Sequence, residues 1–161
     1  MPDKSDTSGE VFIKEYPKST FLLEGKQVLA KGNLILTNKR LVFLRETDFN
    51  EKDAEALQNV LEEGDIGRLL QFCLGLHKKN FQVPLTSIIK TKFRYYFMFT
   101  IPQTGMRLTY STGSGKEKTI TFRFNPPITK QLLMSEFPTL DWIRAINKAA
   151  KAERRAAGYH L

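Results

Sequence analysis

Gly32–Leu44, with the sequence GNLILTNKRLVFL, is the stretch that decides the fold. It contains two apolar runs, Leu34–Leu36 and Leu41–Leu44, which are separated by a polar tetrapeptide. β-Branched and aromatic side chains suit a pleated strand, and Asn38 tolerates the left-handed backbone that tight turns require. The stretch therefore predicts a β-hairpin, and Gly32 permits a bend or bulge at the start of its first strand.

The residues that follow change to a helical period. Apolar residues recur at i, i+3, i+6 and i+7 from Ala54, and at i, i+3, i+4, i+7 and i+8 from Ile66. This spacing predicts two short amphipathic helices within 51–77. Gly64 and Asp65 supply a stop and a new N-cap between them. We expect a helical insert at about residues 49–78.

Strand periodicity returns at Phe81 and persists to Phe124, and a last amphipathic helix is expected from an N-cap at Thr139 to about Ala157. Pro102 and Gly105 are expected to bound two of the later strands. The predicted strands here are Phe81–Pro84, Ile88–Ile101, Met106–Thr112 and Glu117–Phe124.

Length and composition favour one domain. The chain has 161 residues, of which 41% are hydrophobic. This is enough for a hydrophobic core that is stable without a bound metal ion or a disulfide bond. Its single cysteine, Cys73, excludes an intramolecular disulfide and favours a cytoplasmic protein. Residues 1–18, which begin with the polar stretch MPDKSDTSGE, are expected to be a flexible tail and 19–161 the domain. No apolar run is long enough to span a bilayer, so any membrane contact is expected to be peripheral.

The hairpin also carries a resemblance to a known family. Its pattern, Gly-x-Leu-x-Leu-Thr-Asn-x-Arg-Leu-x-Phe, resembles the signature hairpin of GRAM and related PH-like domains. The segment Phe81–Ile89 resembles that family's next segment, and the helix with Trp142 is similar to the helix that plugs one end of a PH barrel. The acidic helical insert departs from the pattern, because a simple member has a short connection there.

The resemblance implies an α+β fold and a non-catalytic role. The expected architecture is an antiparallel β-barrel or sandwich of about seven strands, with a C-terminal capping helix and a helical insert between early strands. The expected role is recognition of membrane lipids or of a protein partner. The sequence offers neither a metal-ligand cluster nor a nucleophile–base pair, so we expect no enzyme activity and no cofactor.

Charge is unevenly distributed along the chain. The net charge is +8, yet residues 46–65 carry eight acidic residues and one basic residue, whereas 66–161 carry sixteen basic and four acidic ones. The i, i+2 spacing of Lys90, Lys92 and Arg94 places three cations on one face of a strand. The candidate ligands for an anionic headgroup are Lys31, Lys39, Arg40, Lys90, Lys92, Arg94, Lys116 and Lys118.

Three other interpretations remain open at this stage. In the first, the basic residues form a solvated surface that keeps the protein soluble and binds no ligand. Nucleic acid would use the same charges, but the motif of RNA-binding sheets is missing. Alternatively, the insert mediates self-association or docks a partner, through the apolar residues Leu57, Leu61, Leu69 and Leu70, unless these pack on the chain's own sheet.

Overall fold

A computed structural model describes residues 9–24, 27–46, 51–98, 101–124 and 136–158. The strands are β1 (Phe12–Glu24), β2 (Gln27–Thr37), β3 (Arg40–Arg45), β4 (Phe81–Pro84), β5 (Ile88–Met98), β6 (Ile101–Ser111) and β7 (Glu117–Phe124). The helices are α1 (Glu51–Glu63), α2 (Ile66–Leu74) and α3 (Glu136–Ala156).

In this part of the chain seven strands form one antiparallel sheet in the order β4-β3-β2-β1-β7-β6-β5. Strands β4 and β5 are its two edges, so the strand pairing that the structure describes does not close into a barrel. The expected antiparallel strands, C-terminal helix and insert between early strands are all present. The fold is therefore the α+β arrangement that the resemblance implies.

The inner face of the sheet and helix α3 enclose the main core. Alternate residues of β2 and β3 point into it, among them Leu34 and Phe43, which are fully buried. Helix α3 contributes Trp142, which stacks on Phe124 at the end of β7 with ring centroids 5.7 Å apart. Because α3 contacts β5, β6 and β7, it covers one end of the sheet.

Several boundaries differ from those that the sequence predicts. Strand β1 begins at Phe12, which pairs with Thr37, so the sheet starts inside the segment expected to be a tail. Strand β6 begins at Ile101 and includes Pro102. Helix α3 begins at Glu136, and the predicted N-cap, Thr139, is a buried residue inside it whose hydroxyl hydrogen-bonds with that of Thr104 at 2.7 Å.

The insert forms the two predicted helices, and the second of them packs on the chain's own sheet. Gly64 has a φ of 69°, and Asp65 caps α2 by accepting hydrogen bonds from the backbone N–H groups of Gly67 and Arg68. Alternate residues of β2 and β3 face outward, away from the main core. A second core forms there between α2 and these strands, from the buried residues Ile35, Val42 and Leu70.

Gly32 is required by close contact within the hairpin. A Cβ atom at this position would overlap the backbone oxygen of Leu44 and would lie 2.8 Å from the Cα of Arg45. Neither neighbour is a flexible side chain, so the two strands would have to separate. This explains the glycine that begins the signature pattern.

We therefore predict that Gly32→Ala destabilises the fold by about 1–3 kcal/mol, the usual range for overpacking. Chemical denaturation followed by circular dichroism measures the loss. Gly113→Ala is the matched control, because a Cβ there meets nothing within 4 Å. Equal stability of the two variants would contradict the role assigned to Gly32.

Candidate anion-binding face

Strands β5, β6 and β7 present basic side chains on their outer face. Residues Met106 and Leu108 of β6 are fully buried in the main core, so Arg107 between them points outward. Arg107 is paired with Lys92 of β5, so two cations lie directly opposite each other on neighbouring strands. The i, i+2 spacing in the sequence groups Lys92 only with Lys90 and Arg94, which lie on the same strand.

The register arranges this face in three rows that cross the strands. Each row takes one residue from β5, one from β6 and one from β7 in that order. The rows are Lys90 with Thr109 and Thr119, Lys92 with Arg107 and Thr121, and Arg94 with Gly105 and Arg123. We call the five cations of these rows the basic face: Lys90, Lys92, Arg94, Arg107 and Arg123.

The middle of the basic face is concave. A cavity of about 260 Å³ lies there, lined by four cations and two threonines. The hydroxyl oxygens of the two threonines are 3.2 Å apart, so hydroxyl groups lie among the charges. The lining residues are Lys90, Lys92, Arg94, Arg107, Thr109 and Thr119.

The electrostatics of this face are unfavourable without a counter-charge. Among the described residues, none of the four cations that line the cavity forms an ion pair, and Arg94 Nε, although buried, donates no hydrogen bond. Burial lowers the pKa of Arg123. Glu117 is exposed at the hairpin end of β7, on the same side by alternation, but does not line the cavity. An anion placed in the cavity would offset the like-charge repulsion.

The other candidate ligands lie elsewhere. Lys31 and Lys116 are exposed on β2 and in the turn between β6 and β7. The ammonium of Lys39 lies 3.4 Å from a carboxylate oxygen of Glu153 on α3. Lys118 lines a different pocket, on the other side of β7. Of the eight predicted ligands, the structure brings together Lys90, Lys92 and Arg94.

Arg40 is engaged inside the fold instead of facing a ligand. Its guanidinium forms an ion pair with Glu10, with Nε 2.9 Å from Oε1, and both side chains are largely buried. It also donates hydrogen bonds to Gln82 on β4 and to the carbonyl oxygen of Gly67 on α2. This residue therefore joins the N-terminal segment, the hairpin and the insert, and it is not available to a headgroup.

Leu70 is likewise committed to the fold. Its side chain is 2% exposed and packs on the outer side of β2 and β3, which corrects its assignment to an interaction surface. Leu69 is half-buried, and the side chains of Leu57 and Leu61 lie outside the described part of the chain. Cys73 is half-buried on α2, where burial raises the pKa of its thiol.

We predict that Arg40→Met destabilises the protein by about 3–5 kcal/mol, because it leaves the Glu10 carboxylate buried without its cation. Urea denaturation measures the change. Adding Glu10→Gln should recover part of the loss. Lys39→Met is the control, since it breaks a more exposed pair and should cost less than about 1 kcal/mol. An Arg40→Met variant as stable as this control would contradict the assignment.

Comparison with solved structures finds PH domains. The N-terminal PH domain of Vps36 is 14% identical, with a TM-score of 0.49, and the match covers 89% of this chain and 81% of that one. The complex of the PDZ-RhoGEF DH/PH domains with GTP-γ-S-activated RhoA is 10% identical, also with a TM-score of 0.49, over 93% of this chain and 32% of that one. No family model and no curated protein sequence matches. The GRAM resemblance therefore rests on the sequence motif alone.

The described residues also bear on two other kinds of site, a membrane-spanning helix and a metal centre. No helix there is both long enough and apolar enough to cross a membrane. No cluster of His, Cys, Asp and Glu side chains is placed to hold a metal ion within the same ranges.

Proposed function

We propose that this protein is a non-catalytic binding module whose basic face engages the anionic headgroups of a membrane surface. The observation that carries the proposal is the direct cross-strand pairing of Lys92 with Arg107. Like charges in such a pair destabilise a sheet, so the pairing is not explained by folding alone. A negatively charged ligand between the two side chains turns this repulsion into two attractions.

The shape of the surface favours many headgroups over one soluble anion. The cations are distributed over three neighbouring strands, and rows of a sheet face are roughly 7 Å apart. A membrane presents anionic groups across an area of this size, so several cations are engaged at once. The insert leaves this surface accessible, because α2 packs on β2 and β3 at the other half of the sheet.

Co-sedimentation with vesicles tests the proposal. We expect binding to vesicles of phosphatidylcholine and phosphatidylserine, and little binding to phosphatidylcholine alone. Each Lys or Arg near an anionic surface contributes about five-fold in affinity, so Lys92→Gln with Arg107→Gln should weaken binding roughly 25-fold. Raising the salt concentration should weaken binding of the unaltered protein, because exposed charges are screened.

The matched control removes the same charge from another surface. Lys148 and Lys151 are exposed on α3, so Lys148→Gln with Lys151→Gln should retain most of the binding. Circular dichroism confirms that both double variants are folded. Equal losses in the two variants, or no preference of the unaltered protein for anionic vesicles, would refute the proposal.

A further inference from the structure

Three consecutive apolar side chains at the start of β1 are exposed. Val11 is 58% exposed, and Phe12 and Ile13 are each 45% exposed. Ile89, at the start of β5, is exposed to a similar extent, 47%. These are four of the five large apolar side chains that are exposed in the described part of the chain. We call these four residues the apolar tip, and such a concentration is typical of a surface that meets a partner.

The turn between β2 and β3 fixes the backbone that carries Val11 and Phe12. The N–H of Val11 donates to Asn38 Oδ1 at 2.7 Å, and the carbonyl oxygen of Val11 accepts from the N–H of Asn38 at 3.0 Å. The side-chain amide of Asn38 also donates to the carbonyl oxygen of Gly9, and Phe12 pairs with Thr37 of β2. An ordered strand therefore presents the exposed side chains, so their burial in a partner costs little backbone entropy.

Ile89 lies at the same end of the molecule as the start of β1. Lys39, in the turn between β2 and β3, forms an ion pair with Glu153 of α3. The next residue of α3, Arg154, donates a hydrogen bond to the carbonyl oxygen of Ile88. A short series of contacts through the last turns of α3 therefore connects the two parts of the apolar tip.

The apolar tip borders the basic face. The register of β5 shifts between Ile88 and Lys90, so Ile89 forms a bulge, and both Ile89 and Lys90 are exposed. Lys90 is the first cation of the basic face. A surface on which apolar side chains lie beside cations suits the boundary between anionic headgroups and acyl chains. Ile89 therefore joins the two surfaces.

The size of the apolar tip favours a lipid surface over a protein partner. Four half-exposed side chains of this kind offer roughly 300 Å² of apolar surface at most. A specific protein interface buries about 800 Å² on each partner, so the tip alone is too small for one. A lipid surface needs no such area, because single apolar side chains enter it just below the headgroups.

We infer that the apolar tip inserts between the headgroups of the membrane surface that the basic face engages, so that its side chains reach the acyl chains. This inference rests on the proposed function. The basic face supplies charge attraction, which salt screens, whereas the tip supplies a hydrophobic contribution that salt does not screen. Peripheral anchoring becomes stable when two such signals act together.

Quenching by brominated lipids tests insertion directly. The fluorophore is attached at Val11→Cys in a Cys73→Ser background, which leaves one thiol to label. The vesicles contain phosphatidylserine and a phosphatidylcholine that is brominated on its acyl chains, so only a fluorophore at acyl-chain depth is quenched. We expect quenching at position 11. The matched control is a label at Tyr95→Cys, also an exposed position but roughly 20 Å from Ile89 along β5, which should not be quenched.

Sedimentation of unlabelled variants with vesicles of phosphatidylcholine and phosphatidylserine measures the contribution of the tip. Burial of a half-exposed Val or Phe side chain contributes about five-fold in affinity, so Val11→Ser with Phe12→Ser should weaken binding roughly 25-fold. Tyr95→Ser removes exposed apolar surface outside the tip and should weaken binding less than about two-fold. Circular dichroism confirms that both variants are folded.

The outcomes separate this inference from the proposed function. Anion-dependent binding with no quenching at position 11 and no loss in the Val11→Ser, Phe12→Ser variant overturns the inference and leaves the basic face in place. Quenching and loss without any preference for anionic vesicles supports insertion of the tip and refutes the role of the basic face. Equal quenching at positions 11 and 95, or equal losses in the two serine variants, also overturns the inference. No binding to any vesicle overturns both.

Discussion

The β2–β3 hairpin is buried on both of its faces, and much of the structure follows from that constraint. Leu34 and Phe43 on the inner side pack in the main core, while Ile35 and Val42 on the outer side pack under α2. A sheet face that is apolar must be covered by another element. Helix α3 and the other strands enclose the inner side, and the insert between β3 and β4 covers the outer side. Helix α2 of the insert is thus part of the fold's own packing.

Because the β2–β3 hairpin is buried on both faces, the outer face of the sheet differs between its two halves. Over β2 and β3 the outer face is apolar and is covered by α2. The buried ion pair between Arg40 and Glu10 lies beside it, at the start of β3. Over β5, β6 and β7 the outer face carries cations and threonines instead, and among these Lys90, Lys92, Arg107 and Thr119 are exposed. One sheet therefore offers a packed surface at one side and a charged surface at the other. Of these two outer surfaces, the described residues cover only the first.

Local patterns predicted much of this. The hairpin, the helices of the insert and the cap at Asp65 depend on residues close in sequence, and all three are confirmed. The spacing of Lys90, Lys92 and Arg94 also predicted three of the five cations of the basic face. Arg107 was missed, although its place between Met106 and Leu108 in an alternating strand was a usable signal.

What the sequence could not give is the pairing of distant segments. The cross-strand pair of Lys92 with Arg107 depends on register, and the ion pair of Arg40 with Glu10 joins residues 30 positions apart. Neither follows from periodicity, which describes one element at a time. The early start of β1 was missed for the same reason, since residues 12–16 enter the sheet by pairing with the end of β2.

Mapping the membrane contact residue by residue tests the central claim most directly. Amide chemical shifts of the isotope-labelled protein are compared in neutral bicelles and in bicelles that contain phosphatidylserine. The account predicts that the largest changes fall on the outward residues of β5, β6 and β7, around Lys92 and Arg107. Changes concentrated on α1 and α2, or on the β2–β3 hairpin, would contradict it.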